Sequence, residues 1–301
     1  MNFKKIITLL KNTVNEFLDD NAMKFSASLS YYTVFALPPL SILIISISGF
    51  FFGEEAVTGE FYGQIKELVG DNAALQIQEA IKNVRLSDSG TLATIFGVIM
   101  LFFGASAVFA EIQSSINYIW GLKAKPNKGL VRFVKNRLLS FSMIASVGFL
   151  LLVSLIVNSV VDVLYVQLTK LFHEETVYLV GVVNNIVVFV IITLLFSIIF
   201  KTLPDGKIGW RETVVGSGFT SLFFMIGKFG IGMYLGNSSS SSLYGAAGSI
   251  IVILIWVYYS AIILYFGAEF TKVYAEMYGK KIEPNSYSVL IKKSITEVDE
   301  K

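Results

Sequence analysis

Apolar residues in this chain fall in long, nearly unbroken runs, not in the short alternating stretches of a half-buried sheet. The runs lie at Leu29 to Phe52, Thr91 to Ala110, Leu138 to Val161, Val177 to Phe200, Thr213 to Leu235 and Ser249 to Phe270. A hydrocarbon core of about 30 Å needs roughly 20 residues of helix, and each run reaches that length. The pattern predicts an all-α polytopic membrane protein with six transmembrane helices. Residues 1–279 read as a single membrane domain and residues 280–301 as a cytoplasmic tail.

Polar positions define what lies between the spans. In residues 1–24, Phe3, Ile6, Ile7, Leu10, Val14, Phe17 and Leu18 recur at helical spacing, with Lys4, Lys5 and Lys11 off that stripe. Charges interrupt the stripe and no small-residue cleavage site follows, so an interfacial helix is expected instead of a cleaved signal. A helix packed on the protein's own loops is the alternative. Residues 53–90 carry Glu54, Glu55, Glu60, Glu67, Asp71, Glu79 and Asp88. They read as a short external helical hairpin broken at Gly70, with Asp71 or Asn72 capping its second helix. After the second span, Ile112, Ile116, Ile119 and Trp120 keep helical spacing, so that helix should run on into the interface, with Trp120 and later Trp210 in the aromatic belt.

Composition then narrows the class. With 54% hydrophobic and 15% charged residues, and a mean hydropathy of +0.67, the surface is too apolar to face water throughout. There is no cysteine, which excludes disulfides and thiolate chemistry. Lys and Arg concentrate in the N-terminus (Lys4, Lys5, Lys11, Lys24), after the second span (Lys123, Lys125, Lys128, Arg132, Lys135, Arg137), after the fourth (Lys201, Lys207, Arg211) and from Lys272 onward. Only Lys66, Lys82, Arg85 and Lys170 fall in the opposite loops. The positive-inside rule therefore puts both termini in the cytoplasm, and six spans return the chain to the face it left.

Candidate chemistry sits inside the spans. Pro38 and Pro39 fall near the middle of the first span, where two rings should kink or unwind the helix. Lys228 is the fully charged side chain in the heart of a span, roughly 10 Å of helix rise from its external end, farther than its stem can snorkel. Gly227, Gly230, Gly232 and Gly236 leave that helix nearly bare, which by itself fits close helix packing. Asn184 and Asn185 in the fourth span, with Asn158 and Asp162 in the third, lie at matching depth. Together they predict an outward-facing polar pocket for an anionic or zwitterionic group. Tyr31 and Tyr32 in the first span and Tyr258 and Tyr259 in the last either line that pocket or tie helices together. Glu269, at the cytoplasmic end of the last span, is expected to be a structural clamp with Lys24 or Arg137 as its partner.

These residues also carry a family likeness. The stretches SASLSYYTVFALPPL in the first span, EIQSSINYIWG at 111–121, LPDGKIGWRETVVGS at 203–217 and YGAAGSIIVILIWVYYSAIILYFGAEFTKVYAEMYG at 244–279 resemble the YihY/BrkB family of bacterial inner-membrane proteins, once labelled ribonuclease BN-like. The resemblance runs from the N-terminal helix to about Gly279. It implies six helices, both termini inside, and a role in export, envelope integrity or serum resistance, without a defined substrate.

The nuclease label fails on chemistry. RNA hydrolysis needs a general acid and base or metal-holding carboxylates near a basic cytoplasmic surface. The single histidine, His173, lies in an external loop beside Glu174 and Glu175. The expectation is a non-enzyme without cofactor, metal or nucleic-acid partner. Its partners would be membrane lipids, including anionic inner-leaflet lipids, and a small-molecule or lipid substrate. A transporter or export protein is expected, with a non-transporting scaffold or envelope-integrity factor as the alternative.

Overall fold

A computed structural model describes residues 3–36, 91–125, 174–237 and 246–291, together with positions 59, 62, 63, 75, 78, 137–139, 142, 143 and 146. At some helix ends the description covers the backbone alone. The second half of the first span and most of the third, with Pro38, Pro39, Asn158 and Asp162, lie outside the described residues, as does most of segment 53–90. Gly59, Tyr62, Gly63, Leu75 and Gln78 within that segment are helical, as are Arg137, Leu138, Leu139, Ser142, Met143 and Ser146 at the start of the third span.

The chain opens with α1 (Phe3–Asp19), which ends in a tight turn. Asn21 takes φ 55°, a left-handed conformation that asparagine tolerates better than most residues, and its N–H donates to the Leu18 carbonyl at 3.1 Å. The turn leads directly into α2 (22–36). Next comes α3 (Thr91–Ile119), longer than its apolar run, as its helical spacing predicts. It stops at Gly121 with φ 66°, where the glycine N–H donates to Tyr118. Three long helices follow: α4 (Glu174–Thr202), α5 (Trp210–Asn237) and α6 (Ala246–Tyr278).

Two described segments are long and apolar enough to cross a membrane, Asn185–Thr202 with mean hydropathy 2.3 and Ile253–Tyr278 with 1.6. They are covered differently. Only 22% of the first is buried by protein against 56% of the second, so α4 is peripheral and α6 central. Helices α1, α3 and α5 all pack on α6.

The α5/α6 contact is built from glycine facing threonine. A methyl on Gly216 would overlap Thr271 Oγ1, and a methyl on Gly267 would overlap Thr220 Oγ1. The four positions are spaced by four along both helices and in opposite order, so the helices run antiparallel in one register. Each threonine hydroxyl donates to the carbonyl four residues back, Thr220 to Gly216 at 2.7 Å and Thr271 to Gly267 at 2.6 Å, so neither threonine is left unpaired. Phe219 stacks on Phe270 at 3.8 Å beside this interlock.

Four short strands depart from the all-α expectation. β1 (Leu122–Ala124) pairs antiparallel with β4 (Ser288–Leu290), and β2 (Gly206–Lys207) with β3 (Glu283–Pro284). Residues 282–291 therefore cross under the bundle and stitch the loop after α3 to the loop after α4. Within this segment Ile282, Tyr287 and Ser288 are buried.

Candidate functional site

Polar side chains are braced most thoroughly at the strand-bearing end. Asp205, 1% exposed, sits in the turn between α4 and α5. Gln113 Nε2 donates to its Oδ1 at 3.1 Å and Asn117 Nδ2 to its Oδ2 at 3.0 Å, while the Asp205 N–H donates to Asn117 Oδ1 at 2.7 Å. Its carbonyl accepts from the Asn285 N–H at 3.0 Å and from the Ser288 hydroxyl. One residue thus holds α3, the α4–α5 turn and the C-terminal segment. The sequence reading missed Asp205, although Gln113 and Asn117 at i and i+4 on one helix face were a signal for a shared acceptor.

Glu212, in the first turn of α5 and ahead of the apolar run, reaches the opposite end of α6. Its Oε1 accepts the Lys280 N–H at 3.0 Å, and a methyl on Gly209 or Gly279 would overlap its carboxylate. The Lys280 N–H holds this carboxyl below the ordinary range, against the opposing effect of burial.

Glu269 is fully buried, and its charged neighbours are not the expected Lys24 or Arg137. Lys272 Nζ lies 3.5 Å from Glu269 Oε2, 2.7 Å from Glu16 Oε2 and 3.6 Å from Asp20 Oδ2. One turn of helix separates Glu269 from Lys272, so the ammonium reaches it without crossing the bundle. Lys24 is exposed. Arg137 bonds Ser106 Oγ and stacks over Phe103 at 4.0 Å, tied to α3 instead. Glu16, Asp20 and Glu269 each bring a carboxylate oxygen within 4.8 Å of the others, a spacing that could hold a cation.

Trp120 also departs from its expected place in a lipid-facing belt. It is 3% exposed, and its indole N–H donates to the Ala268 carbonyl at 3.0 Å. Trp210 is exposed, with Lys201 Nζ over its ring at 5.1 Å.

Of the pocket residues, Lys228 lies on α5 and Asn184 on α4, with their side chains outside the described residues. Asn185 is exposed on α4. Tyr31 and Tyr32 are exposed on α2, their rings edge-on at 5.8 Å. Tyr258 and Tyr259 are half-buried on α6. The Tyr259 hydroxyl fills the place a methyl would take on Gly227, so α6 brings a phenol against α5 one residue before Lys228.

Two long apolar helices, together with relatives that are themselves membrane proteins, define the class: this is a helical integral membrane protein. A profile of the family described as Virulence factor BrkB matches residues 13–289, and the chain belongs to that family. Similar proteins include UPF0761 membrane proteins from three bacteria. That of Saccharophagus degradans is 25% identical over 268 residues, covering 88% of this chain and 59% of the relative. That of Stenotrophomonas maltophilia is 26% identical over 272 residues, covering 89% and 61%. That of Rhodospirillum centenum is 27% identical over 280 residues, covering 92% and 59%. The chain thus spans between 59% and 61% of the length of these curated relatives. No solved structure matches it.

Proposed function

We propose that this chain is a six-helix, multi-pass protein of the bacterial cytoplasmic membrane, with both termini inside, that exports a lipid or small molecule through an outward-facing polar pocket. The pocket recognises an anionic or zwitterionic group. Lys228 supplies the positive charge, and Asn184, Asn185, Asn158 and Asp162 supply polar neighbours at its depth. The sequence places Pro38 and Pro39 in the middle of the first span, where a break in a helix would offer backbone carbonyls to such a pocket.

The observation that supports this reading most is Tyr259 against Gly227. A lysine far from both interfaces requires water or a polar partner, and the phenol arrives at the same turn of α5. A bare glycine at 227 is what lets it approach. The strand-bearing end, rich in Lys and Arg, faces the cytoplasm in this account, and its braced polar groups close that side.

A second reading, a non-transporting scaffold or envelope-integrity factor, draws on the glycine-threonine interlock of α5 and α6, which favours a rigid bundle. Leaflet exchange separates the two. Full-length chain is reconstituted into vesicles of phosphatidylethanolamine and phosphatidylglycerol carrying fluorescent phosphatidylglycerol, and the label exposed to an impermeant quencher is followed over time. The export reading expects exchange faster than in empty vesicles and slowed about tenfold by K228M, which corresponds to roughly 1.4 kcal/mol. Exchange equal in native protein, K228M and empty vesicles would favour the scaffold.

A further inference from the structure

Helix α1 has a second apolar side that the bundle leaves bare. The buried Leu9, Thr13 and Phe17 share one arc of the helix, and through it Leu9 meets Phe270, Val273 and Tyr274 of α6 while Phe17 meets Phe266. At about 100° of turn per residue, Phe3, Val14, Ile7 and Leu18 occupy a separate arc of roughly 60°, centred about 110° further round. All four are exposed, Phe3 by 77% and Leu18 by 54%. Lys11 and Lys4 fill roughly the next 40°, and the polar Asn15, Thr8, Asp19 and Asn12 follow. Round its circumference α1 thus presents a protein-facing arc, a bare apolar arc, a lysine edge and a polar arc.

The place of α1 along α6 indicates what covers the bare arc. Its contacts are with the last turns of the apolar segment Ile253–Tyr278, and the Tyr278 hydroxyl donates to the Lys5 carbonyl at 3.4 Å. That is the level at which a span leaves the hydrocarbon and enters the headgroups. An apolar arc bordered by lysines and then by polar groups suits a helix lying in this zone: the apolar side chains enter the acyl chains, and the lysine stems carry their ammonium groups up to the phosphates. Lys4 and Lys11 are exposed, and neither forms an ion pair among the described residues. A second copy packed through the same arc offers them no carboxylate, whereas an anionic lipid supplies the missing charge.

We propose that the arc of Phe3, Ile7, Val14 and Leu18, with Lys4 and Lys11 at its edge, is a binding surface for anionic phospholipid. The lipid's acyl chains cover the apolar arc, and its phosphate lies against the two ammonium groups. One helix thereby joins the α6 end of the bundle to charged lipid. The surface stands apart from the Lys228 region and serves an exporter or a scaffold alike, so its test is independent of any transport assay.

The chain has no cysteine, so a single bimane label on V14C or N15C of the full chain reports on one arc at a time. Each labelled protein is reconstituted into phosphatidylcholine vesicles that contain a small fraction of acyl-chain nitroxide lipid, either phosphatidylglycerol or phosphatidylcholine. Nitroxide lipid should quench the label at V14C strongly and at N15C weakly. Phosphatidylglycerol should quench at a lower mole fraction than phosphatidylcholine, by about fivefold for each lysine, and K4Q combined with K11Q should remove that preference while leaving quenching by phosphatidylcholine in place. If V14C does not fold, L18C on the same arc gives the same reading. Equal quenching at V14C and N15C, or none at V14C, would overturn the lipid-facing arc, and energy transfer between labelled copies in place of quenching would assign it to a second copy. Equal quenching by the two lipids, or a preference unchanged in K4Q with K11Q, would overturn the anionic site.

Discussion

Gly267 and Thr220 face each other so closely that one methyl decides whether α5 and α6 can keep their register. Alanine is a better helix former than glycine by about 1 kcal/mol, yet here its methyl meets Thr220 Oγ1, with Gly216 and Thr271 fixing the other end. Overpacking of this kind costs roughly 1–3 kcal/mol. Gly267→Ala should therefore lower resistance to denaturant in micelles by that amount, and adding Thr220→Ala should recover most of it; equal losses in the single and double variants would show that the contact is not the cause. The bare face legible in the sequence was Gly227, Gly230, Gly232 and Gly236, not Gly216 or Gly267. Nor were the threonines opposite these two legible, because a threonine mid-span reads as one more weakly polar residue until a second helix supplies its partner. Asp205 escaped for a related reason: its acceptors are used by Gln113 and Asn117, far away in sequence. Asp205→Ala should orphan those two buried donors at roughly 1–3 kcal/mol each. Proteolysis within 280–291 should accelerate in that variant, whereas an unchanged cleavage rate would mean that the strands hold without the brace.

Helix α1 shows what an element's own periodicity can and cannot say. Its apolar residues cover nearly half of the helix circumference, and the sequence treats them as one face. The fold divides that face. Leu9, Thr13 and Phe17 are buried, Leu9 against Phe270, Val273 and Tyr274 of α6, while Phe3, Ile7, Val14 and Leu18 stay exposed beside Lys4 and Lys11. Protein interior and lipid are similarly apolar, so a hydrophobic stripe cannot distinguish which of them covers it. Trp120 was misplaced for the same reason, since an indole is equally at home in an interface or donating to a buried carbonyl. In detergent, Leu9→Ala should destabilise the bundle by about 2–5 kcal/mol. Leu18→Ala should fall within about 0.5 kcal/mol of native, as exposed substitutions do. Similar losses for both would mean that α1 has no protein-facing side. The strands were illegible for a simpler reason: segments of two or three residues are too short to display a period of two.

At the scale of the whole molecule, runs of apolar residues located the starts of α3 to α6 within about three residues, because backbone hydrogen bonding in lipid leaves an apolar run no alternative to helix, while α3 and α6 continue well past the ends of their runs. The family expected from the motifs is the one the chain belongs to, with the match ending at residue 289, where the C-terminal segment is still paired in β4. The export account adds to that frame a water-accessible pocket at Lys228 that opens outward, closed below by Asp205, Glu212 and the Glu269 cluster. The native chain contains no cysteine, so a single introduced thiol can be followed without background. The decisive measurement is the reaction of K228C in intact cells with a small, membrane-impermeant, anionic thiol reagent. Rapid labelling from outside is the predicted result, and a thiol that reacts only after the cytoplasmic face is exposed, or not at all, would contradict the outward pocket.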